Sequence, residues 1–130
     1  MLAQALNNLA NAWARSGEPA TALPYVEESM SLLTGRSSDP YLVVSTKTYA
    51  QILHRLGRYD EAIDRIYQLR ALGREQGSAH VEFDFAEFLG TVLDQRGQRE
   101  PAIAHWRRAL ELATEQGRPA ERLRARLAAD

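Results

Sequence analysis

The sequence predicts an all-α array of helix–turn–helix units, on three observations. Gly17, Gly57 and Gly97 stand 40 residues apart. Around each of them the same small and large residues recur at fixed distances. Apolar residues between the glycines fall three and four apart, and none alternate with a period of two over a useful length, so no strand is expected. An internal period of this size is the mark of stacked supersecondary units.

In the first unit, Leu2, Leu6, Leu9 and Trp13 share one helical face. Gly17 is expected to end that helix by turning left-handed past its last turn. Pro19 suits the first turn of the next helix, where its missing N–H costs nothing. That second helix carries the stripe Ala22, Val26, Met30 and Leu33. Pro24 lies inside it and is expected as a late helix start or a tolerated kink.

Asp39-Pro40 opens the second unit as an N-cap and first-turn proline. Its helices carry Leu42, Tyr49, Leu53 and Leu56, then Ala62, Ile66 and Leu69. Ser78 is a further N-cap candidate. The third unit carries Phe85, Leu89 and Leu93, then Ala102, Ile103, Trp106, Ala109, Leu110 and Ala113. A seventh helix over Pro119 to Ala129, with Leu123 and Leu127 on one face, is expected to cover the open end.

Close helix contact needs positions where a side chain is nearly absent. Ala10, Ala50 and Gly90, seven before each turn glycine, and Ala22, Ala62 and Ala102, five after it, supply them. No helix pair buries its apolar face alone, so stacking stabilises each unit. The first helix has no preceding cap, so Leu2 and Leu6 are expected to be partly exposed.

Composition narrows the function. With 45% apolar residues in 130 positions, the chain has material for a real core. A net charge of -1 gives no global pull toward nucleic acid or anionic membrane. The lack of cysteine removes disulfides and thiolate metal sites. The N-terminus lacks the basic and apolar regions of a signal peptide, and no apolar run suggests a membrane helix. Cytoplasmic localisation is the expectation. Lys47 is the only lysine against fifteen arginines, a skew that fits a GC-rich bacterial genome. The ending on a short helix at Asp130 fits an excised piece of a larger protein.

The stretch LNNLANAWARSGEPATALPYVEESM, Leu6 to Met30, resembles the tetratricopeptide repeat family, in its long kinesin light chain form. LHRLGRYDEAIDRI, Leu53 to Ile66, is similar to the general family pattern. LGTVLDQRGQREPAIAHWRRALELATEQG, Leu89 to Gly117, is similar to repeats of bacterial signalling and regulator proteins. Thr46 departs from an expected large apolar residue, and Ser29 and Leu69 stand where alanine is usual. The resemblance implies a right-handed superhelical α-solenoid in one domain, 1–130: repeats at 1–38, 39–77 and 78–117, and a capping helix at 118–130.

The resemblance also implies a concave groove lined by the first helix of each unit. Its inner positions, ten, nine and six residues before each turn glycine, are Asn7, Asn8 and Asn11; Lys47, Thr48 and Gln51; and Glu87, Phe88 and Thr91. Arg55, Asp84 and Asp94 are placed at the edges. An amide both donates and accepts, so Asn11 and Gln51 suit the main chain of an extended peptide, and Phe88 an apolar side chain. Lys47 and Arg55 suit a ligand's acidic end, and Asp84, Glu87 and Asp94 its basic end. Asp84 and Phe88 replace two basic residues of the carboxylate clamp found in chaperone-binding members, so chaperone C-termini are not expected.

His54, His80 and His105 lie too far apart in sequence for a helical metal pair, and no phosphate loop or nucleophile motif occurs. No cofactor, metal or catalytic residue is expected. Arg118, Arg122, Arg124 and Arg126 are offset by Glu111, Glu115 and Glu121 and lack interleaved aromatics, so nucleic acid is not the expected partner. The expected function is non-catalytic binding of a peptide or protein in the groove, as a sensing or regulatory module of a bacterial signalling system. Neither a small-molecule substrate nor a membrane is expected. Self-association through helix ends or the convex face is the alternative.

Overall fold

The computed structural model describes residues 1–129; Asp130, the end of the expected capping helix, lies outside the described residues. The described residues form seven helices: α1 Leu2–Arg15, α2 Pro19–Leu32, α3 Pro40–Arg55, α4 Tyr59–Gln76, α5 Ala79–Gln95, α6 Arg99–Gln116 and α7 Glu121–Ala128. There is no strand among the described residues. The helices form two compact units, Met1–Gly77 and Ser78–Asp130.

The turns between paired helices follow from three glycines. Gly17, Gly57 and Gly97 have φ of 83°, 76° and 80°, a region that side-chain-bearing residues rarely enter. At each, the next amide reaches back to the helix: Glu18 N–H to Trp13 O (3.0 Å), Arg58 N–H to Leu53 O (2.9 Å) and Gln98 N–H to Leu93 O (2.9 Å). These bonds satisfy carbonyls the helix leaves open. Pro19 and Pro40 sit in first turns, and the Asp39 side chain accepts from Tyr41 N–H at 2.9 Å. Ser78 is the N-cap residue of α5 but makes no capping bond; its hydroxyl lies 3.3 Å from His80 Nε2.

Helix α2 continues through Pro24, which is exposed, so the carbonyl it leaves unpaired can be hydrated. Helix α7 starts two residues later than expected. Residues 118–120 close a turn instead, with Arg118 N–H on Ala113 O at 2.8 Å and Ala120 buried.

In the first unit the small positions pack as expected. Ala10, Ala14, Ala22 and Val26 form one cluster with Ile52, with Leu23, Tyr25, Tyr49 and Leu56 against it. Ala3, Leu33, Leu42 and Leu72 form another. Two of the departures from the family pattern, Ser29 and Thr46, are matched by hydrogen bonds. The Ser29 hydroxyl donates to Ala3 O at 2.8 Å and lies 2.8 Å from the Ser45 hydroxyl. The buried Thr46 hydroxyl donates to Leu42 O at 2.6 Å.

The stripe expected on α1 is only half a core stripe. Leu6 is buried, but Leu2, Leu9 and Trp13 are 61%, 42% and 38% exposed. Their counterparts on α3 are Leu42, Tyr49 and Leu53, 40 residues later. Leu42 lies in one cluster with Leu33, at the end of α2, with Met30 against it, and Tyr49 packs against the cluster that holds Val26 of α2. Helix α1 has no such neighbour in the described residues.

The second unit is built on Phe83, Ala86, Ala102, Trp106, Ala109, Leu112, Ala113, Ala120 and Leu123. Helix α7 closes it: the Arg126 guanidinium donates to Thr91 Oγ1 at 2.8 Å and lies 5.5 Å from the Trp106 ring centre. Arg99 approaches the same ring at 5.2 Å and donates to the carbonyls of Arg126 and Ala129.

Candidate protein-binding site

The first unit holds seven of the expected groove residues, on α1 and α3, which pack against each other. Residues three and four apart on a helix share a face. Asn8 and Asn11 therefore stand together on α1, and Lys47 and Gln51 on α3. Asn8 is exposed, and Asn11, Lys47 and Gln51 are half-buried, so their polar ends can be reached.

Two neighbours are withdrawn from solvent. Asn7 is 6% exposed, and its Oδ1 has no hydrogen-bond partner among the described residues. Thr48 is 7% exposed, and its hydroxyl donates to Val44 O at 3.1 Å. Close packing of α1 on α3 puts these positions beneath the surface row.

Arg55 is exposed, yet one of its N–H groups donates to Ala14 O in the last turn of α1. A cation there complements the negative end of the helix dipole. The side chain thus ties the end of α3 to the end of α1.

The second unit carries Asp84, Glu87, Phe88 and Thr91 on α5, all half-buried. The Thr91 hydroxyl donates to Glu87 O at 3.0 Å and accepts from Arg126, so both of its roles are taken. Asp84 lies 4.0 Å from Arg118, whose guanidinium stacks on Phe83 at 4.1 Å. Asp94 pairs with Arg99 at 3.2 Å. These pairings leave less acidic character on the helix than the bare sequence suggests.

A concavity of about 460 Å³ lies between α2 and α4 over α3. Glu27, Ser31 and Thr34 line one wall, Arg65 and Gln68 the other, with Met30, Leu42 and Tyr49 between them. The Tyr49 hydroxyl donates to Glu27 Oε2 at 3.4 Å, and the Arg65 guanidinium lies 5.1 Å from its ring centre. Burial, and then the Glu27 carboxylate, push the Tyr49 hydroxyl above the ordinary tyrosine range, with Arg65 opposing. Tyr49 lies two residues from both Lys47 and Gln51, or about 200° around the helix, so this furrow is separate from the row. The sequence reading missed it. The signal was present in the spacing of Glu27, Ser31 and Thr34, but the facing wall comes from the next unit.

Among the described residues no group of three His, Asp or Glu side chains is placed to hold a metal ion. No helix there is long and apolar enough to cross a membrane.

Comparison with known proteins adds the family. A family model described as tetratricopeptide repeat matches residues 1–75 and again 44–115. A crystal structure of the nearly identical TPR-like repeats assigned to a kinesin light chain of Podosopora anserina superposes with a TM-score of 0.74 over 87% of this chain. The two are 17% identical, a likeness of fold, and the chain spans 56% of that structure's length. No curated protein matches the sequence.

Proposed function

The chain belongs to the tetratricopeptide repeat family, and on that premise we propose that it is a non-catalytic scaffold that binds an extended peptide or partner protein along its first helices. Repeats of this family generally mediate protein–protein interaction. The observation that carries the reading is the accessible amide pair at one repeat position, Asn11 on α1 and Gln51 on the adjoining α3.

The spacing supports a main-chain ligand. Packed helices lie roughly 8–10 Å apart, and an extended peptide rises roughly 3.3 Å per residue. Equivalent amides on neighbouring first helices would therefore meet main-chain groups about three residues apart. Each amide can accept an N–H and donate to a carbonyl. Asn8, Lys47 and Arg55 flank the pair in the first unit, with Asn7 and Thr48 beneath it. Asp84, Glu87, Phe88 and Thr91 are the proposed contacts of the second unit. The acidic part of the partner would meet Lys47 and Arg55. Its basic part would meet Glu87 on α5.

The setting we infer is the sensing or regulatory part of a bacterial signalling system in the cytoplasm. It rests on the resemblance of Leu89 to Gly117 to such repeats and on the arginine-for-lysine skew.

The test is partner capture by the native chain and by an Asn11→Ala/Gln51→Ala variant of equal thermal stability. A partner held by the first and lost by the second supports the reading. A partner held equally by both removes the binding site from this row.

A further inference from the structure

Glu27 on α2 and Arg65 on α4 line opposite walls of the furrow over α3, and both lean on Tyr49 between them rather than on each other. The Glu27 carboxylate accepts from the Tyr49 hydroxyl at 3.4 Å, which takes up one of its roughly four acceptor sites. The Arg65 guanidinium lies over the ring and donates through Nη1 to Gln68 Oε1 at 2.6 Å. Its fork carries further N–H donors beyond that one. Opposite charges with bonding capacity to spare, set around one ring, match a ligand that carries both charges close together.

The apolar floor extends from that charged end in one direction. Tyr49 packs against the cluster that holds Val26. Leu42, seven residues earlier on α3 and so about 10 Å along it, lies in the cluster with Leu33, with Met30 against it. A ligand seated there would have a charged head and an apolar tail. The volume of about 460 Å³ falls within the range of small-molecule sites, roughly 300–1,000 Å³. Burial is the first cause that raises the Tyr49 hydroxyl, so charges beside it act in partly dried surroundings, where attraction is stronger than in water.

The repeat does not require this set of residues. Forty positions on, Tyr67, Leu89, His105 and Arg108 stand where the furrow has Glu27, Tyr49, Arg65 and Gln68. The small and large residues of the repeat are kept there without the carboxylate and guanidinium, so these are free to serve a ligand.

We propose that the furrow binds a free α-amino acid with an apolar side chain, its carboxylate on Arg65, its ammonium on Glu27 and its side chain over Met30 and Leu42. The amino acid is a ligand, not a substrate. One carbon carries both of its charges, so both reach groups gathered at a single ring. A peptide separates its termini by roughly a further 3.3 Å per added residue. A ligand of this size in an open furrow has a Kd of about millimolar or somewhat tighter. The furrow is separate from the Asn11–Gln51 row, so this inference goes beyond the proposed partner binding, and either can fail alone.

A heteronuclear NMR titration with L-phenylalanine tests it. The native chain should show saturable shifts centred on Glu27, Tyr49 and Arg65. N-acetyl-L-phenylalanine and L-phenylalanine methyl ester, each lacking one charge, should bind about tenfold more weakly. Glu27→Gln and Arg65→Gln should each weaken L-phenylalanine binding to a similar degree. Glu27 is exposed and Arg65 half-buried, so both variants should keep the native circular dichroism spectrum. Asn11→Ala/Gln51→Ala should bind the amino acid as the native chain does. Three results would overturn the proposal: no saturable shifts up to the solubility limit, binding indifferent to the loss of either charge, or shifts centred away from the furrow. Tighter binding of L-phenylalanyl-L-phenylalanine than of L-phenylalanine would assign the furrow to a peptide end and overturn it as well.

Discussion

A Cβ at Gly90 would lie 2.5 Å from both Cδ1 and Nε1 of Trp106, so the side chain absent from one residue is the space the other fills. The first two repeats carry Ala10 with Val26 and Ala50 with Ile66 at the equivalent sequence positions. The third removes a methyl on α5 and installs an indole on α6, 2% exposed. Gly90→Ala should therefore destabilise the protein despite alanine's better helix propensity, by about 1–3 kcal/mol of overpacking. Gly90→Ala/Trp106→Ile, which copies the second repeat, should lose less than the sum of the two single changes. Chemical denaturation of the four proteins measures it; a Gly90→Ala variant as stable as the native chain refutes the pairing.

Ser29 occupies a position where alanine is usual, and the structure shows why alanine would cost stability here. Ser29→Ala leaves Ala3 O and the Ser45 hydroxyl without their buried partner. The expected loss is about 1–3 kcal/mol. Ser29→Ala/Ser45→Ala should recover part of it, because removing both hydroxyls leaves fewer unpaired groups. A double variant less stable than either single change would contradict this.

Arg126 fastens α7 by two contacts, the bond to Thr91 and the stacking on Trp106. Arg126→Ala should cost about 1–2 kcal/mol and raise amide exchange in α7 more than in α5 or α6. Exchange raised uniformly over all three helices would mean that Arg126 does not act locally on α7.

Tyr49 offers a pH test. Its hydroxyl is raised above the ordinary value of 10.0, so the fold favours the neutral form. The associated stability is fully present below the unfolded pKa and is lost as pH rises through the folded one. The difference in tyrosinate absorbance between the native chain and Tyr49→Phe should give a midpoint above 10.0. Glu27→Gln should lower that midpoint, because the carboxylate is the second cause of the shift. A midpoint unmoved by Glu27→Gln removes the electrostatic part of the account.

What could be read before folding was local. Gly17, Gly57 and Gly97 mark their turns because few other residues take that backbone, and Asp39-Pro40 marks a helix start for equally local reasons. Neighbours decided the rest. Leu9 and Trp13 fit the apolar stripe as well as Tyr49 and Leu53 do. Whether a stripe is covered depends on a helix that the stripe does not specify. Asn7 and Thr48 looked like surface amide and hydroxyl, yet α1 and α3 approach closely enough to bury both. Arg55 was placed at a groove edge by its charge, but its bond to Ala14 O depends on where α1 ends, 41 residues away.

A partner is expected to lie along the first helices, on the Asn11–Gln51 side of the first unit. Site-specific photocrosslinking tests it directly, with the reactive group placed in turn at Asn11 and at Ser31, in the furrow between α2 and α4. A partner adduct is expected from Asn11 and none from Ser31. Adducts from Ser31 alone would place the partner on the second helices and contradict it.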